Sequence, residues 1–151
     1  ITQNIDGLHQ KSGISGNKII EIHGNAIEAA CLECGAKQNI TDFHDAIKTK
    51  KQLPRCTVCN GTVKVATISF GQPMNEEDME KASNIVEDSD LMIVMGSSLK
   101  VLPAGKLPNL AMQSGSKLVI LNREKTRYDS IADMVINDEL QNICSGLIQE
   151  L

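Results

Sequence analysis

Aromatic side chains are nearly missing from this 151-residue sequence: Phe43, Phe70 and Tyr128 are the whole set, and there is no Trp. The core must therefore be aliphatic, and platforms for stacking nucleic-acid bases are scarce. A basic surplus is missing too. Lys and Arg number 15 against 19 Asp and Glu, a net charge of -4, which argues against direct nucleic-acid binding. No apolar run approaches the ~18 residues of a membrane-spanning helix, and no basic start leads into an apolar stretch as a signal peptide would. A G-x-S-x-G elbow, a Walker A lysine loop and an H-E-x-x-H helix are all absent, so serine hydrolysis, P-loop phosphoryl transfer and zinc proteolysis lose support. No initiator Met opens the chain; it starts on Ile1 and reads as the later part of something longer. What is present is globular in balance, with 41% hydrophobic and 23% charged residues over about one domain's length.

Five cysteines stand at positions 31, 34, 56, 59 and 144. The first four form two C-x-x-C pairs separated by 21 residues. That spacing lets two knuckles converge on one tetrahedral ion, and Cys31, Cys34, Cys56 and Cys59 are the expected ligands of a structural zinc. The competing readings are a redox C-x-x-C, which should occur singly near a βαβ unit, and disulfides, which need an oxidising compartment. A closed four-cysteine site leaves no open position, so this zinc should hold the fold and do no chemistry. Cys144 falls in the apolar pattern of the last helix and reads as a small buried hydrophobe.

The pattern along the chain predicts short buried strands at residues 1–5 and 18–23, with an Asp6-Gly7 turn after the first and a sharp change of direction at Gly24 after the second. A zinc module follows at 29–63, containing a helix over 41–50 capped by Thr41 or Asp42. Strands are expected at 65–69, 91–95, 117–121 and 134–136. Helices are expected from the Asn75 cap to residue 88, over 103–113, and over 138–151 with Leu140, Ile143, Leu147 and Ile148 inward. The continuous apolar run Leu-Met-Ile-Val-Met at 91–95 suits a strand buried on both faces of a parallel sheet. Strand–helix alternation of this kind predicts a doubly wound α/β sheet, with the zinc segment inserted between its elements.

Ligands of open parallel sheets bind beyond the carboxyl ends of the strands. Four polar clusters fall there: Gln3-Asn4-Asp6, His23-Gly24, Gly96-Ser97-Ser98 and Asn122. The small residues at 96–98 would admit a phosphate to backbone amides, though a Gly-Ser-Ser after a strand is more often a plain turn. Asn122 could bond a ribose hydroxyl or simply make a turn. Of the three histidines, His44 reads as a solvated surface residue and His9 has no clear partner. His23 stands at the rim, either as a hydrogen-bonded structural histidine or as a general base, the role its ordinary pKa near 6.5 suits.

Thr2-Gln3-Asn4-Ile5-Asp6-Gly7-Leu8-His9 resembles the TQNID-x-LH signature of sirtuins, the NAD-dependent protein deacylases. Ile22-His23-Gly24 looks like their catalytic His-Gly, and the two C-x-x-C pairs match their structural zinc module. Ser69-Phe70-Gly71-Gln72-Pro73-Met74 resembles the segment lining their peptide groove. Gly96-Ser97-Ser98-Leu99-Lys100-Val101-Leu102-Pro103 resembles their GTSL-x-V-x-P loop, and Leu121-Asn122 their ribose-binding asparagine. Two departures stand out: Gln72 replaces the usual acidic residue after Phe-Gly, and Lys64-Val65-Ala66-Thr67 lacks the common Arg-Pro-(Asp/His). The family's GAG-x-S phosphate loop precedes TQNID and has no counterpart in this sequence.

The resemblance implies a partial Rossmann-like parallel sheet (1–28 and 64–151) with an inserted zinc-ribbon module (29–63). It implies transfer of an acyl group from lysine to the ADP-ribose of NAD with release of nicotinamide, His23 acting as general base on a ribose hydroxyl. Asn4 would orient the ribose or the catalytic water, Ile5 and Asp6 would hold the nicotinamide carboxamide, and Gln3 would bond the ribose. Ile68, Phe70 and Gly71 would pair with the acyl-lysine peptide as an added strand, opposite Leu99 and Val101. Gly96, Ser97, Ser98, Asn122, Arg123, Glu124 and Glu139 would hold the adenosine half. Mono-ADP-ribosyl transfer and a non-enzymatic, truncated zinc-bearing module are the alternatives. The expected compartment is the cytoplasm. On its own this polypeptide is expected to show no NAD-dependent turnover, and to associate through an exposed sheet edge or with a missing N-terminal segment.

Overall fold

The computed structural model describes residues 1–49 and 53–149. The chain divides into two compact units, Ile1–Met79 and Glu80–Leu151.

The first unit is built on an antiparallel sheet of three strands in the order β2-β1-β3. Strand β1 is Gly24–Cys31, β2 is Lys37–Asn39 and β3 is Val63–Thr67. Registers Ala29↔Gln38 and Ala29↔Val65 set the centre. Ala29, Cys31, Phe43, Cys56 and Val63 are buried together, so two of the four zinc-spaced cysteines belong to this small core. Gly24 sits at φ 67°, and a Cβ there would run into the Ala66 carbonyl, so the site takes only glycine. The sharp turn expected there is present.

Neither strand expected at 1–5 and 18–23 forms. The two segments meet at a single parallel bridge, Thr2↔Glu21, held by Thr2 N–H to Ile20 O at 2.8 Å and Ile22 N–H to Thr2 O at 3.2 Å. Ile1 and Ile5 are substantially exposed rather than buried. Gly7, at φ 69°, leads into the short helix α1 (Leu8–Lys11). Inside the zinc module a 3-10 turn, Ile40–Phe43, runs into α2 (His44–Lys48). The capping residue is Asn39, whose side chain accepts from the Thr41 N–H, in place of the expected Thr41 or Asp42. Asn39 wins because the helical turn begins at Ile40, one residue earlier than the apolar pattern suggests. The expected end of that helix, Lys50, lies outside the described residues.

Helix α3 (Glu76–Glu87) starts on the Asn75 cap as expected, with Asn75 Oδ1 accepting from the Asp78 N–H at 3.0 Å. Its acidic first turn complements the helix dipole. The second unit holds a parallel sheet in the order β4-β5-β6, comprising Leu91–Met95, Lys117–Leu121 and Met134–Ile136. Helix α4 (Leu107–Gln113) packs against β4 and β5, with Pro108 in its first turn, where a missing N–H costs nothing. Val94, Leu99, Leu118, Ile120 and Tyr128 form the core on this side.

The strand at 91–95 is not buried on both faces. Val94 is 6% exposed, whereas Leu91, Ile93 and Met95 are about half exposed, as are Met134 and, somewhat less, Ile136 of β6. Register pairs place these residues on one face of the sheet, opposite the Val94 core. The final helix, α5 (Leu140–Gln149), also departs from expectation. None of its residues is fully buried; Leu147 and Ile148 are exposed, while Leu140, Ile143 and Cys144 are half-buried. Its apolar stripe has too few described neighbours to be covered.

Candidate functional site

The two cysteine knuckles meet. All four sulfurs lie within 4.8 Å of one another, with Cys31 Sγ to Cys59 Sγ at 3.5 Å and Cys34 Sγ to Cys56 Sγ at 3.7 Å. A tetrahedral zinc with Zn–S bonds of about 2.3 Å needs sulfurs about 3.8 Å apart, so the donor set fits that ion. Cys31 and Cys56 are buried, Cys34 and Cys59 exposed. The amides of Cys59 and Val58 favour the thiolate of Cys56 and bring its pKa down to about 6. Cys31 goes the other way, up to about 12: the Cys34 amide draws it down, but burial and the neighbouring thiols outweigh it. Gln38 braces the second knuckle, donating to Cys56 Sγ at 3.3 Å and accepting from the Thr57 N–H at 3.1 Å.

His23 is half-buried, and its Nδ1 lies 3.1 Å from the main-chain carbonyl of Gln3. A carbonyl can only accept, so Nδ1 carries the proton and the neutral ring keeps its lone pair on Nε2. The carbonyl of His23 accepts from the Ile68 N–H at 2.9 Å, which fixes the histidine to the end of β3. Of the other residues in the opening motif, Asn4 is exposed and its N–H bonds Thr2 Oγ1 at 3.1 Å. His9 does have a partner, Thr2 Oγ1 at 3.1 Å. Asp6 Oδ1 accepts from the N–H of Leu8, the first residue of α1, at 3.0 Å. The Ile5 carbonyl accepts from Ala26 at 2.8 Å.

In the second unit, Gly96, Ser98, Asn122, Arg123, Glu124 and Glu139 line one cleft of 490 Å³ with Leu140 and Gln141. Gly96 takes φ 62° and would bring any Cβ to 2.9 Å from Leu140 Cδ1. Asn122 is buried and donates from Nδ2 to the Glu124 carbonyl at 2.6 Å, so its side-chain oxygen is the end a ribose hydroxyl could donate to. Arg123 reaches Glu139 at 3.1 Å and Glu124 at 3.6 Å, and these carboxylates hold its guanidinium above its ordinary pKa. Ser97 Oγ accepts from the Leu99 N–H at 3.3 Å.

The Sir2 family model matches residues 1–103. This chain belongs to the Sir2 family. It is 44% identical over 140 residues to an NAD-dependent protein deacetylase of Rhodopseudomonas palustris, covering 93% of this chain and 55% of that protein. A solved Sir2 structure bound to acetylated peptide superposes with a TM-score of 0.91 at 35% identity, covering 99% of this chain and 61% of that one. A Sir2 complex with a p53 peptide and NAD+ gives 0.89 at 36% identity, covering 99% and 61%. The chain thus spans little more than half the length of the curated relatives it matches.

Within this Sir2 chain, the sequence-predicted groove residues are placed unevenly. Phe70 is fully exposed and Gly71 takes φ 82° at the turn beside it. Leu99 is 4% exposed in the second unit's core and adopts φ 58°, so its side chain serves packing and its backbone is not extended. Val101 is 41% exposed, its carbonyl accepting from the Gly105 N–H at 2.7 Å. Sequence reasoning missed Asn25. This buried amide donates to Glu21 and Glu28 while accepting from the N–H groups of Ile27 and Glu28, which clamps the chain just after His23-Gly24. An Asn with Glu at −4 and +3 was the available signal. It also missed the double hold on the Gly105 carbonyl by Arg127 and Tyr128, which no local pattern announces. No described helix is long and apolar enough to cross a membrane.

Proposed function

We propose that this Sir2 chain serves NAD-dependent removal of acyl groups from protein lysine, with zinc in a purely structural role. The observation that carries the reading is His23: its Nδ1–H is committed to a main-chain carbonyl, leaving Nε2 as a proton acceptor of fixed direction. NAD, when bound, supplies the ribose that accepts the acyl group. His23 would take a proton from a ribose hydroxyl at Nε2, and Asn4, exposed and next in the chain to the Gln3 whose carbonyl holds His23, would orient that ribose or a water. Gln3, Ile5 and Asp6 would bind the nicotinamide end. Gly96, Ser97, Ser98, Asn122, Arg123, Glu124 and Glu139 would hold adenosine in the second unit's cleft, a reading supported by six of those seven lining it.

The acyl-lysine peptide would add as a strand beside Ile68, Phe70 and Gly71, whereas Leu99, buried and at φ 58°, does not offer an extended partner. The amide of Ile68 is already used by the His23 carbonyl, which turns that residue's main chain toward β1 and away from the outer edge. Residues 1–28 and 64–151 would form the nucleotide-binding part and 29–63 the zinc part. A reducing compartment, the cytoplasm, suits four thiolates kept for metal. The test is nicotinamide release coupled to deacetylation of an acetyl-lysine peptide by the complete polypeptide. His23→Ala should lower turnover by about 10²–10⁴-fold while peptide binding persists. Near-normal turnover in that variant would return His23 to a structural role.

A further inference from the structure

Among the described residues strand β3 is an edge strand, with β1 on one side only. Gly24 pairs with Thr67, and the Ile68 N–H bonds the His23 carbonyl, so residue 68 faces β1. Alternation along an antiparallel ladder then turns the main-chain groups of Thr67 and Ser69 outward, to the edge where a peptide strand would add. Those outward groups are already covered from within. The Lys64 ammonium donates to the Thr67 carbonyl and, at 3.2 Å, to Gln72 Oε1. The same Gln72 oxygen accepts from the Ser69 N–H at 3.3 Å, and the Gln72 N–H donates to the Ser69 carbonyl at 2.9 Å.

From this arrangement, and resting on the deacylase reading above, we propose that Lys64 and Gln72 form a polar latch on the substrate edge that selects acyl-lysine peptides carrying an acidic side chain beside the modified lysine. A peptide that pairs at Ser69 displaces the Gln72 oxygen. The Lys64 ammonium then loses one of its two acceptors, and a carboxylate on the peptide replaces it. Lys64 is the only charged residue between positions 63 and 75, so it is the charge such a peptide meets first. The acids that follow, Glu76, Glu77 and Asp78, sit in the first turn of α3, where helix amides offset them. A glutamate at position 72 would answer Lys64 with its own full charge; the neutral glutamine leaves that charge to the substrate.

The experiment uses three fluorescent acetyl-lysine peptides that differ only in the flanking residues, Glu, Ala or Lys, with binding to the chain followed by anisotropy. The Glu-flanked peptide should bind about five-fold tighter than the Ala-flanked one, the scale of a partly exposed ion pair. Lys64→Met and Gln72→Glu should each bring that ratio close to one, and Lys64→Arg should keep it. Far-UV circular dichroism and zinc content show that each variant is folded, and Gln72, being exposed, changes without disturbing the core. Equal binding of the three peptides, or a ratio that survives Lys64→Met, overturns the latch and leaves the deacylase reading standing. Failure of every acetylated peptide to bind overturns both.

Discussion

Removing the zinc should unfold the first unit rather than merely loosen it. Its buried core is small: Ala29, Phe43 and Val63 with the two ligands Cys31 and Cys56, and Ala36 packed against them. Only two of these side chains, Phe43 and Val63, are neither alanines nor metal donors, and Gln38 beside them bonds Cys56 Sγ. Structural zinc contributes about 10–16 kcal/mol in zinc-finger peptides, as much as or more than the ~5–15 kcal/mol that separates a whole domain from its unfolded state. The sulfurs already stand at 3.5 and 3.7 Å across the cluster, so little of that energy goes into rearranging the site. Once the ion leaves, four sulfurs crowd each other without a shared partner, and the Cys31 end of β1 is no longer tied to the second knuckle. Titration with a chelator, followed together by a zinc-sensitive dye and far-UV circular dichroism, should show metal release and loss of strand signal in one transition. Cys56→Ser should reproduce that state without chelator. Metal-free protein that keeps its circular dichroism and melting temperature, or four thiols alkylated rapidly in the metal-loaded native protein, would refute the reasoning.

Three other perturbations have a defined direction. Gly24→Ala places a methyl group against the Ala66 carbonyl in a backbone at φ 67°; the left-handed geometry alone costs about 1–2 kcal/mol, so denaturant unfolding should show at least that loss, and an unchanged midpoint would contradict the packing. Asp133 is held below its ordinary pKa by the Lys117 ammonium and by the Leu118 N–H. Its contribution is therefore present above the unfolded carboxylate's pKa of about 4 and fades as pH falls through the lower folded value. Asp133→Asn should melt lower than the parent at pH 7, with the two melting temperatures converging in acid. Gly96→Val should fill the cleft against Leu140 and weaken adenosine-nucleotide binding by calorimetry, while zinc content stays the same.

The second unit was the more legible half. At the end of the first unit, Asn75 followed by three acids is a helix start that local chemistry settles; in the second, strands β4 to β6 are short apolar runs bounded by turn residues. The error there was one of burial: Leu-Met-Ile-Val-Met reads as two-sided, yet Leu91, Ile93 and Met95 are half exposed, because composition reports hydrophobicity without reporting what covers a face. In the first unit, β1 was hidden. Gly-Asn-Ala-Ile-Glu-Ala-Ala-Cys has poor intrinsic strand propensity and is extended because β2 and β3 flank it. Conversely, residues 18–23 have the alternation of a strand but find only one bridge. The four cysteines were readable from spacing alone, since a tetrahedral ion dictates it. The hold on His23 was not readable, because a main-chain acceptor leaves no mark on residue identity.

That last feature has a consequence for how the chain can vary. Every amino acid brings the same carbonyl to position 3, so no point substitution of Gln3 deletes the atom that aims His23. A mutational scan of residue 3 would report on its side chain and stay blind to the orienting bond. The vulnerable elements are those that set the depth of the backbone: the pairing of Thr2 with Ile20 and Ile22, where inserting or deleting a single residue would swing a different carbonyl, or none, toward the ring. Heritable change can thus retune what surrounds the imidazole freely, while its direction is protected by a group the genetic code does not alter.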